Sequence, residues 1–393
     1  MSQLLNERWS ETKEALLEGL SGVRKSSMAV CLENTRKYLG ESATAGATSA
    51  GNIATLNRVI LPVIRRVMPT VIANEIIGVQ PMTGPVGQIH TLRVRYADTS
   101  AGDGIVAGDE ALSPFNIAAA YSGNGVDATP KATNTAVLEG QPGKRMSIQI
   151  LKAPVEAKSR KLSARWTFEA AQDAQAQQGI DIEAEIMAAL AQEITAEIDQ
   201  EILQSLRALA SVEQTYDQSL VSGTATFVGD EHAALAIQIN RVANLIAQRT
   251  RRGAANWAVV SNQALTILQS ATTSAFARTT EGTFEAPTNT KFVGTLNGAM
   301  RIYVDAYKTD TDDNNQVLVG YKGTSEADAA AFYCPYIPLM SSGVVLDPNT
   351  FEPVVGFLTR YGYVELSNTA SSLGNAADYL GKVSINSNTV SFK

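Results

Sequence analysis

Residues Asp181 to Leu209 read DIEAEIMAALAQEITAEIDQEILQSLRAL, and this stretch sets the frame for everything around it. Ile182, Ile186, Leu190, Ile194, Ile198, Ile202 and Leu206 recur at every fourth position, which predicts one uninterrupted helix. At 1.5 Å per residue the rod is about 43 Å long. A repeat of four gains roughly 40° per step on a turn of 3.6 residues, so the apolar seam winds around the rod. No single flat partner covers a winding seam; different elements must cover successive stretches. Seven acids (Asp181, Glu183, Glu185, Glu193, Glu197, Asp199, Glu201) precede the first base, Arg207. The early ones complement the helix dipole and the others read as a solvated face. The competing reading pairs them with basic groups of neighbouring molecules, such as Lys158, Arg160, Lys161 and Arg165.

Upstream, residues 98–148 are rich in Gly, Ala, Ser, Thr and Asn, contain Pro114, Pro130 and Pro142, and hold few large apolar side chains. Compact domains rarely carry so long a structureless loop without a task for it. The stretch lies between two strand-like runs, Ile89–Tyr96 and Met146–Leu151. That pattern predicts a long hairpin arm that leaves the body and returns; the plainer alternative is a surface insertion. So polar an arm is not expected to bury itself, so its order should come from another subunit, with Phe115 and Tyr121 as candidate contacts. Further back, the apolar segment Ile53 to Ile77 is interrupted by Pro62 and Pro69 and should form short helices. Residues 1–40 read as a helical prefix with Leu5, Trp9, Leu16 and Leu20 near one face. The small, uncharged run Ser42 to Gly51 follows as a linker. A prefix so tethered should swing free or lie along a neighbour.

Downstream of Asp230 the pattern becomes α/β. Leu235, Ile239, Val242 and Ile246 make an amphipathic helix that can stop at Gly253. Trp257–Val260 reads as a short buried strand, with Ser261 or Asn262 able to cap the next helix. Met300–Asp305, Val317–Gly320 and Ala330–Leu339 follow as strands, and Phe351–Leu366 is a long β-like run. The tail to Lys393 is polar with scattered apolar residues.

The 393 residues are 45% hydrophobic and 18% charged, the composition of a globular protein able to bury a sizeable core. A net charge of -7 argues against a dedicated nucleic-acid binder. An acidic wall can still enclose DNA, because repulsion keeps the packed polymer from sticking. Neither a secretory signal nor an apolar run of membrane-spanning length is expected.

Chemistry is hard to find. Only His90 and His232 supply imidazole, Cys31 and Cys334 offer no disulfide framework, and no zinc-type spacing occurs. Gly102-Asp-Gly104-Ile-Val-Ala107 mimics a dinucleotide fingerprint, but Asp109, Glu110 and Pro114 follow where a helix is required. Asp310 to Asn315 starts like a calcium loop, yet Asn315 replaces the turn glycine and Tyr321 stands where the bidentate Glu belongs. Arg249, Arg251 and Arg252 form the one dense basic cluster; they complement a helix end or make inter-subunit ion pairs, with DNA contact the third alternative. The expectation is a structural protein with no catalytic residues, cofactor or metal.

Several blocks of the sequence belong together, beginning with Gly78-Val-Gln-Pro-Met-Thr-Gly-Pro-Val-Gly-Gln-Ile-His90 and Val155-Glu-Ala-Lys-Ser-Arg-Lys-Leu-Ser-Ala-Arg165. Phe168-Glu-Ala-Ala-Gln-Asp173, Gln248-Arg-Thr-Arg-Arg-Gly253, Asn256-Trp-Ala-Val-Val260 and Gly294-Thr-Leu-Asn-Gly298 continue the set. Tyr303-Val-Asp305, Gly320-Tyr-Lys-Gly323, Phe332-Tyr-Cys-Pro-Tyr-Ile-Pro338 and Thr359-Arg-Tyr-Gly362 complete it. Together these blocks closely resemble the major capsid proteins of T-even-like tailed bacteriophages; they are in family order and span most of residues 52–365.

The resemblance implies an α+β fold of the Hong Kong 97-type: an N-terminal arm and linker (1–51), a peripheral domain (52–97 and 149–229) carrying the long spine helix, and an extended loop (98–148). An axial α/β domain (230–344) and a peripheral return with tail (345–393) complete it. It further implies hexamers and pentamers of copies of this chain in a virion head around double-stranded DNA. Scaffold, portal and decoration proteins would be partners; no membrane is involved, and synthesis takes place in the host cytoplasm. Some relatives lose an N-terminal segment to a head protease that cuts after Glu in a Leu/Ile-x-Glu pattern; Leu39-Gly-Glu41 before Ser42 fits it. A vertex-forming pentameric paralogue is the alternative within this class, and a soluble cytoplasmic enzyme the alternative outside it.

Overall fold

The computed structural model describes Trp9, Lys13, Glu14, Leu17 and residues 22–44, 71–100, 104–111, 121–123, 132, 135–139, 143–178, 181–218 and 228–271. It also describes 276–278, 291–305, 307, 315–326, 328–350, 352–367 and 375–386. In chain order, helix α1 (Gly22–Thr44) and the single turn α2 (Ala73–Ile76) lead to strand β1 (Gly78–Val79). Next come β2 (Val86–Tyr96), β3 (Glu110–Ala111), the turn α3 (Thr135–Leu138), β4 (Met146–Glu156) and β5 (Lys158–Arg165). Helices α4 (Phe168–Gln178) and α5 (Ile182–Leu209) precede β6 (Val212–Tyr216) and helix α6 (Val228–Thr250). Then follow β7 (Trp257–Val260), α7 (Asn262–Ser270), β8 (Phe276–Arg278), β9 (Lys291–Leu296), β10 (Met300–Val304) and β11 (Gln316–Gly320). Strands β12 (Ala331–Ser341), β13 (Val345–Leu346), β14 (Pro353–Glu365) and β15 (Leu380–Ile385) finish the chain.

The fourfold repeat forms the single rod α5. Asp181 caps it by accepting the backbone N–H groups of Glu183 at 3.1 Å and Ala184 at 3.5 Å, so the first acid is there for its oxygens. Burial follows the winding seam from Met187 and Leu190 through Ile194 and Ile198 to Ile202, Leu203 and Leu206. Successive partners cover it, as a drifting stripe demands. The first partner is a five-stranded sheet in which β12 and β5 flank β14 antiparallel, β1 lies parallel beside β12, and β13 pairs with the start of β14. The second is a seven-stranded sheet, ordered β6-β15-β11-β7-β10-β9-β8.

That second sheet is buried on both faces, and its alternation divides the side chains cleanly. Trp257, Val259, Tyr303 and Leu318 join the core shared with α5, while Ala258, Val260, Ile302, Val317 and Val319 pack with Leu235, Ile239 and Ile246 of α6. Ser261 accepts the N–H of Ala264 at 3.2 Å and caps α7. At Gly320 a side chain has no room, because a Cβ there would sit inside the indole of the buried Trp257. Replacing Gly320 by Ala should cost about 1–3 kcal/mol through overpacking. The urea midpoint measures it, and an unchanged midpoint would show that the indole can move.

Four sequence expectations need correction. The prefix does not swing free: Leu17, Met28, Cys31 and Leu32 are buried in the main core, and the Asn34 amide donates to the backbone carbonyls of Met82 (2.6 Å) and Tyr336 (3.1 Å). The reason is that Met28, Cys31 and Leu32 form an apolar stripe that packs over β12. The linker does not begin at Ser42, since α1 continues to Thr44; residues 45–50 lie outside the described residues. The tail is not all periphery: Leu380–Ile385 inserts between β6 and β11 of the seven-stranded sheet, burying Leu380, Val383 and Ile385. Residues 212–216 join that sheet as well, so both the 149–229 and the 345–393 segments cross between the two lobes. Finally, the 98–148 excursion buries part of itself. Tyr121, Ile105 and Ala111 cover Tyr96 at the end of β2.

Candidate assembly interface

Strands β2 and β4 pair over their whole length, from Val86 opposite Glu156 to Tyr96 opposite Met146. Their base is fixed to the body where Val155 and Ile89 pack with Met82, Phe332 and Cys334. Alternation then decides what faces outward. Met146, Ile148 and Ile150 lie on one face of β4, opposite Tyr96, Val94 and Leu92 of β2. Ile148 is 70% exposed and Ile150 60% exposed, and Met146 and Val86 are open as well. Water thus meets an apolar row of Met146, Ile148 and Ile150 on the β4 edge of a small three-stranded sheet, in which β3 pairs with β2 at Val94 and Arg95.

The far end of the arm is pinned. The Tyr121 hydroxyl donates to the Arg145 carbonyl at 2.6 Å and accepts the Asp98 N–H at 3.2 Å, and its ring lies 4.4 Å from that of Tyr96. Asp98 accepts the Arg145 N–H at 2.7 Å and meets its guanidinium at 3.3 Å, which together hold the carboxyl below the usual carboxylate range. Tyr121, a candidate inter-subunit contact, is therefore committed within its own chain. Phe115 lies outside the described residues.

The basic candidates divide in the same way. Lys158 and Lys161 are exposed on β5. Arg160 turns inward to the spine, donating to Glu197 at 2.6 Å, to Glu201 at 2.5 Å and to the Tyr361 hydroxyl at 2.6 Å. Arg165 meets Glu352 at 3.6 Å. Of the cluster after α6, Arg249 pairs with Glu213 at 2.8 Å and Arg252 with Asp328 at 2.6 Å, both in the same chain. Arg251 is exposed, at a backbone φ of 50° where the helix stops. The structure brings Arg160 and the spine acids together within one molecule, and does not bring the Arg249 cluster to them.

Glu41 and Ser42 sit in the final helical turns of α1. Proteases bind extended substrates, so cleavage there requires this helix end to unwind first. Of the two histidines, His90 lies on β2, and His232 is buried in α6 with its Nδ1 2.5 Å from the Ser270 hydroxyl. The Gly102–Ala107 stretch turns at Gly104 (φ 66°) and leads into β3, not a helix. Of the Asp310–Asn315 run only Asn315 lies within the described residues. Among the described residues no three His, Cys, Asp or Glu groups gather as a metal site, and no helix is long and apolar enough to cross a membrane.

The stripe of Met146, Ile148 and Ile150 was not singled out by sequence reasoning. Its signal was present as the alternation Met-Ser-Ile-Gln-Ile, which marks a strand with one apolar face. Nothing in that alternation tells whether the face is covered.

Residues 53–388 match the family model described as major capsid protein Gp23. The chain belongs to that capsid protein family. It is similar to the major capsid protein of Vibrio phage KVP40, 28% identical over 85% of this chain and 81% of the relative. The major capsid protein of Enterobacteria phage T4 is 29% identical over 83% of this chain and 78% of that one. Among solved structures, the mature capsid subunit of bacteriophage PhiM1 aligns with a TM-score of 0.44 at 13% identity, over 78% of this chain and 83% of that one. As a member of this family the chain is a structural subunit of a phage capsid, and its place is the virion.

Proposed function

We propose that the chain forms hexamers and pentamers of a phage head with the Hong Kong 97-type fold, and that the arm β2–β4 joins one copy to the next. The observation that carries this reading is the apolar stripe of Met146, Ile148 and Ile150, left in water by its own chain. Charge supports it too. The arm strands and their ends carry Arg93, Arg95, Lys144, Arg145 and Lys152 in a chain of net charge -7. The exposed acids Glu169 and Asp173 of α4 and Asp181, Glu185 and Glu193 of α5 offer complementary charge on a neighbour.

Closed symmetry multiplies contacts that are individually weak, because each copy gives an arm and receives one. In this reading the acidic wall encloses double-stranded DNA without binding its sequence. Scaffold, portal and decoration proteins dock on the shell, and the subunit catalyses no reaction. Size-exclusion chromatography with negative-stain microscopy of the purified full chain tests it. Rings or shells are expected; a small discrete oligomer at every concentration would overturn the proposal.

A further inference from the structure

Two buried carboxylates meet where the spine helix, the segment leading into β1 and the second lobe come together. Asp199 of α5 is 1% exposed and Asp305, just after β10, is 0% exposed. Asp305 is fully provided for: Arg207 donates to it at 2.8 Å, the Gln200 amide at 2.8 Å and the Tyr307 N–H at 3.2 Å. Asp199 is not. One of its oxygens accepts the Ile72 N–H at 2.9 Å, and the other is buried with no hydrogen-bond partner. The Arg207 guanidinium is bonded to Asp305, and Asp199 has the Ile72 N–H alone.

A charged carboxylate in such a place costs several kcal/mol, which the group avoids by keeping its proton. We infer that Asp199 is a proton-operated latch: neutral, it seats residues 71–77 against the spine, and ionised, it loosens that seat. Burial first, and the nearby Asp305 charge second, push the Asp199 carboxyl up to about 8, against the partial opposition of the Ile72 N–H. Tyr333 of β12 is driven well above its ordinary value by burial, and burial pushes the Cys31 thiol of α1 up to about 12. Glu75, on the segment itself, is held elsewhere by Arg24 and by Arg301 at 3.0 Å.

The latch lies on a chosen path. Residues 71–77 run directly into β1, and after the Gly84–Pro85 turn into the arm strand β2. A change of seat at Ile72 is thus transmitted along a few residues to the base of the arm. The device stands whether or not the assembly reading holds, because it concerns contacts within one chain.

The linkage has a definite sign. The seated form holds Asp199 above its free value, so the stability it confers is complete below the ordinary carboxylate range and is lost as the pH rises to about 8. Over that interval, opening of the segment should become easier by up to about tenfold per pH unit, and should level off beyond it.

Hydrogen exchange read by mass spectrometry on the full chain, corrected for the intrinsic rate at each pH, tests this from about pH 5 to about pH 9. In the wild type, protection of residues 71–77 should fall with rising pH while that of Trp257–Val260 holds. In D199N it should be flat. A second variant, D305N, keeps Asp199 but removes the neighbouring charge that helps hold its carboxyl up, so the fall should end at a lower pH. Identical profiles in the wild type and D199N, a D305N profile that ends no lower than the wild type's, or loss of protection in 71–77 and 257–260 together would each overturn the latch.

Discussion

Replacing residues 98–144 by an Asn-Gly turn is expected to leave a folded body that builds no shells. Ala97 and Arg145 face each other at the end of the β2–β4 ladder, joined by an N–H to carbonyl bond of 2.9 Å, so a two-residue turn closes the hairpin there. Among the described residues, the change removes the pairing of β3 to Val94 and Arg95 of β2 and the Tyr121 cover over Tyr96, a ring pair worth about 0.5–1.5 kcal/mol. A sharper version keeps the arm and changes its surface. With Ile148 and Ile150 both replaced by Asp, folding stability should move by no more than about 0.5 kcal/mol per site, because neither side chain has a buried environment to lose. Assembly should fail, since two charges would be forced into an apolar contact. Electron microscopy of the assembled fraction beside a urea melt separates the two effects; normal shells from the double variant would remove the arm stripe from the interface.

The largest loss of folding stability is expected at Arg207. Among the described residues its guanidinium is the one cation bonded to Asp305, whose side chain is fully buried. Replacing Arg207 by Ala should cost on the order of 3–5 kcal/mol, mostly from stranding that charge and not from losing the attraction. The Gln200 amide and Tyr307 N–H remain but bring no charge. Replacing both residues by apolar ones, Arg207 by Met and Asp305 by Leu, should recover most of the loss, because no interior charge is then left alone. Chemical denaturation reads both, and a cost under about 1 kcal/mol for the single variant would mean that water reaches Asp305.

The corrections share one physical cause. Ser42–Thr44 and Leu380–Ile385 are weak signals taken alone: one is three small residues, the other a strand of six in a polar tail. Neither carries a periodicity long enough to overcome its composition. Leu380, Val383 and Ile385 become core because β6 and β11 present open strand edges between which they fit. The prefix likewise became body because its apolar stripe packs over β12. The Arg249 cluster was legible as a helix end, yet its pairing with Glu213 and Asp328 joins positions far apart in the chain.

From its own sequence this protein determines the spine helix, the buried strand Trp257–Val260 and the Ser261 cap after it, and the strand Val317–Gly320. Those features are local: a repeat, a capping residue or an apolar run states its structure within a few neighbours. Family membership was legible as well, through blocks spread over most of the chain. Only the tertiary structure decided which face of the arm is left bare, which arginines are spent inside the molecule, and that Asp199 is buried near Asp305, to which Arg207 is bonded. Each of these depends on what lies opposite in space, and burial, unlike periodicity, belongs to no residue alone.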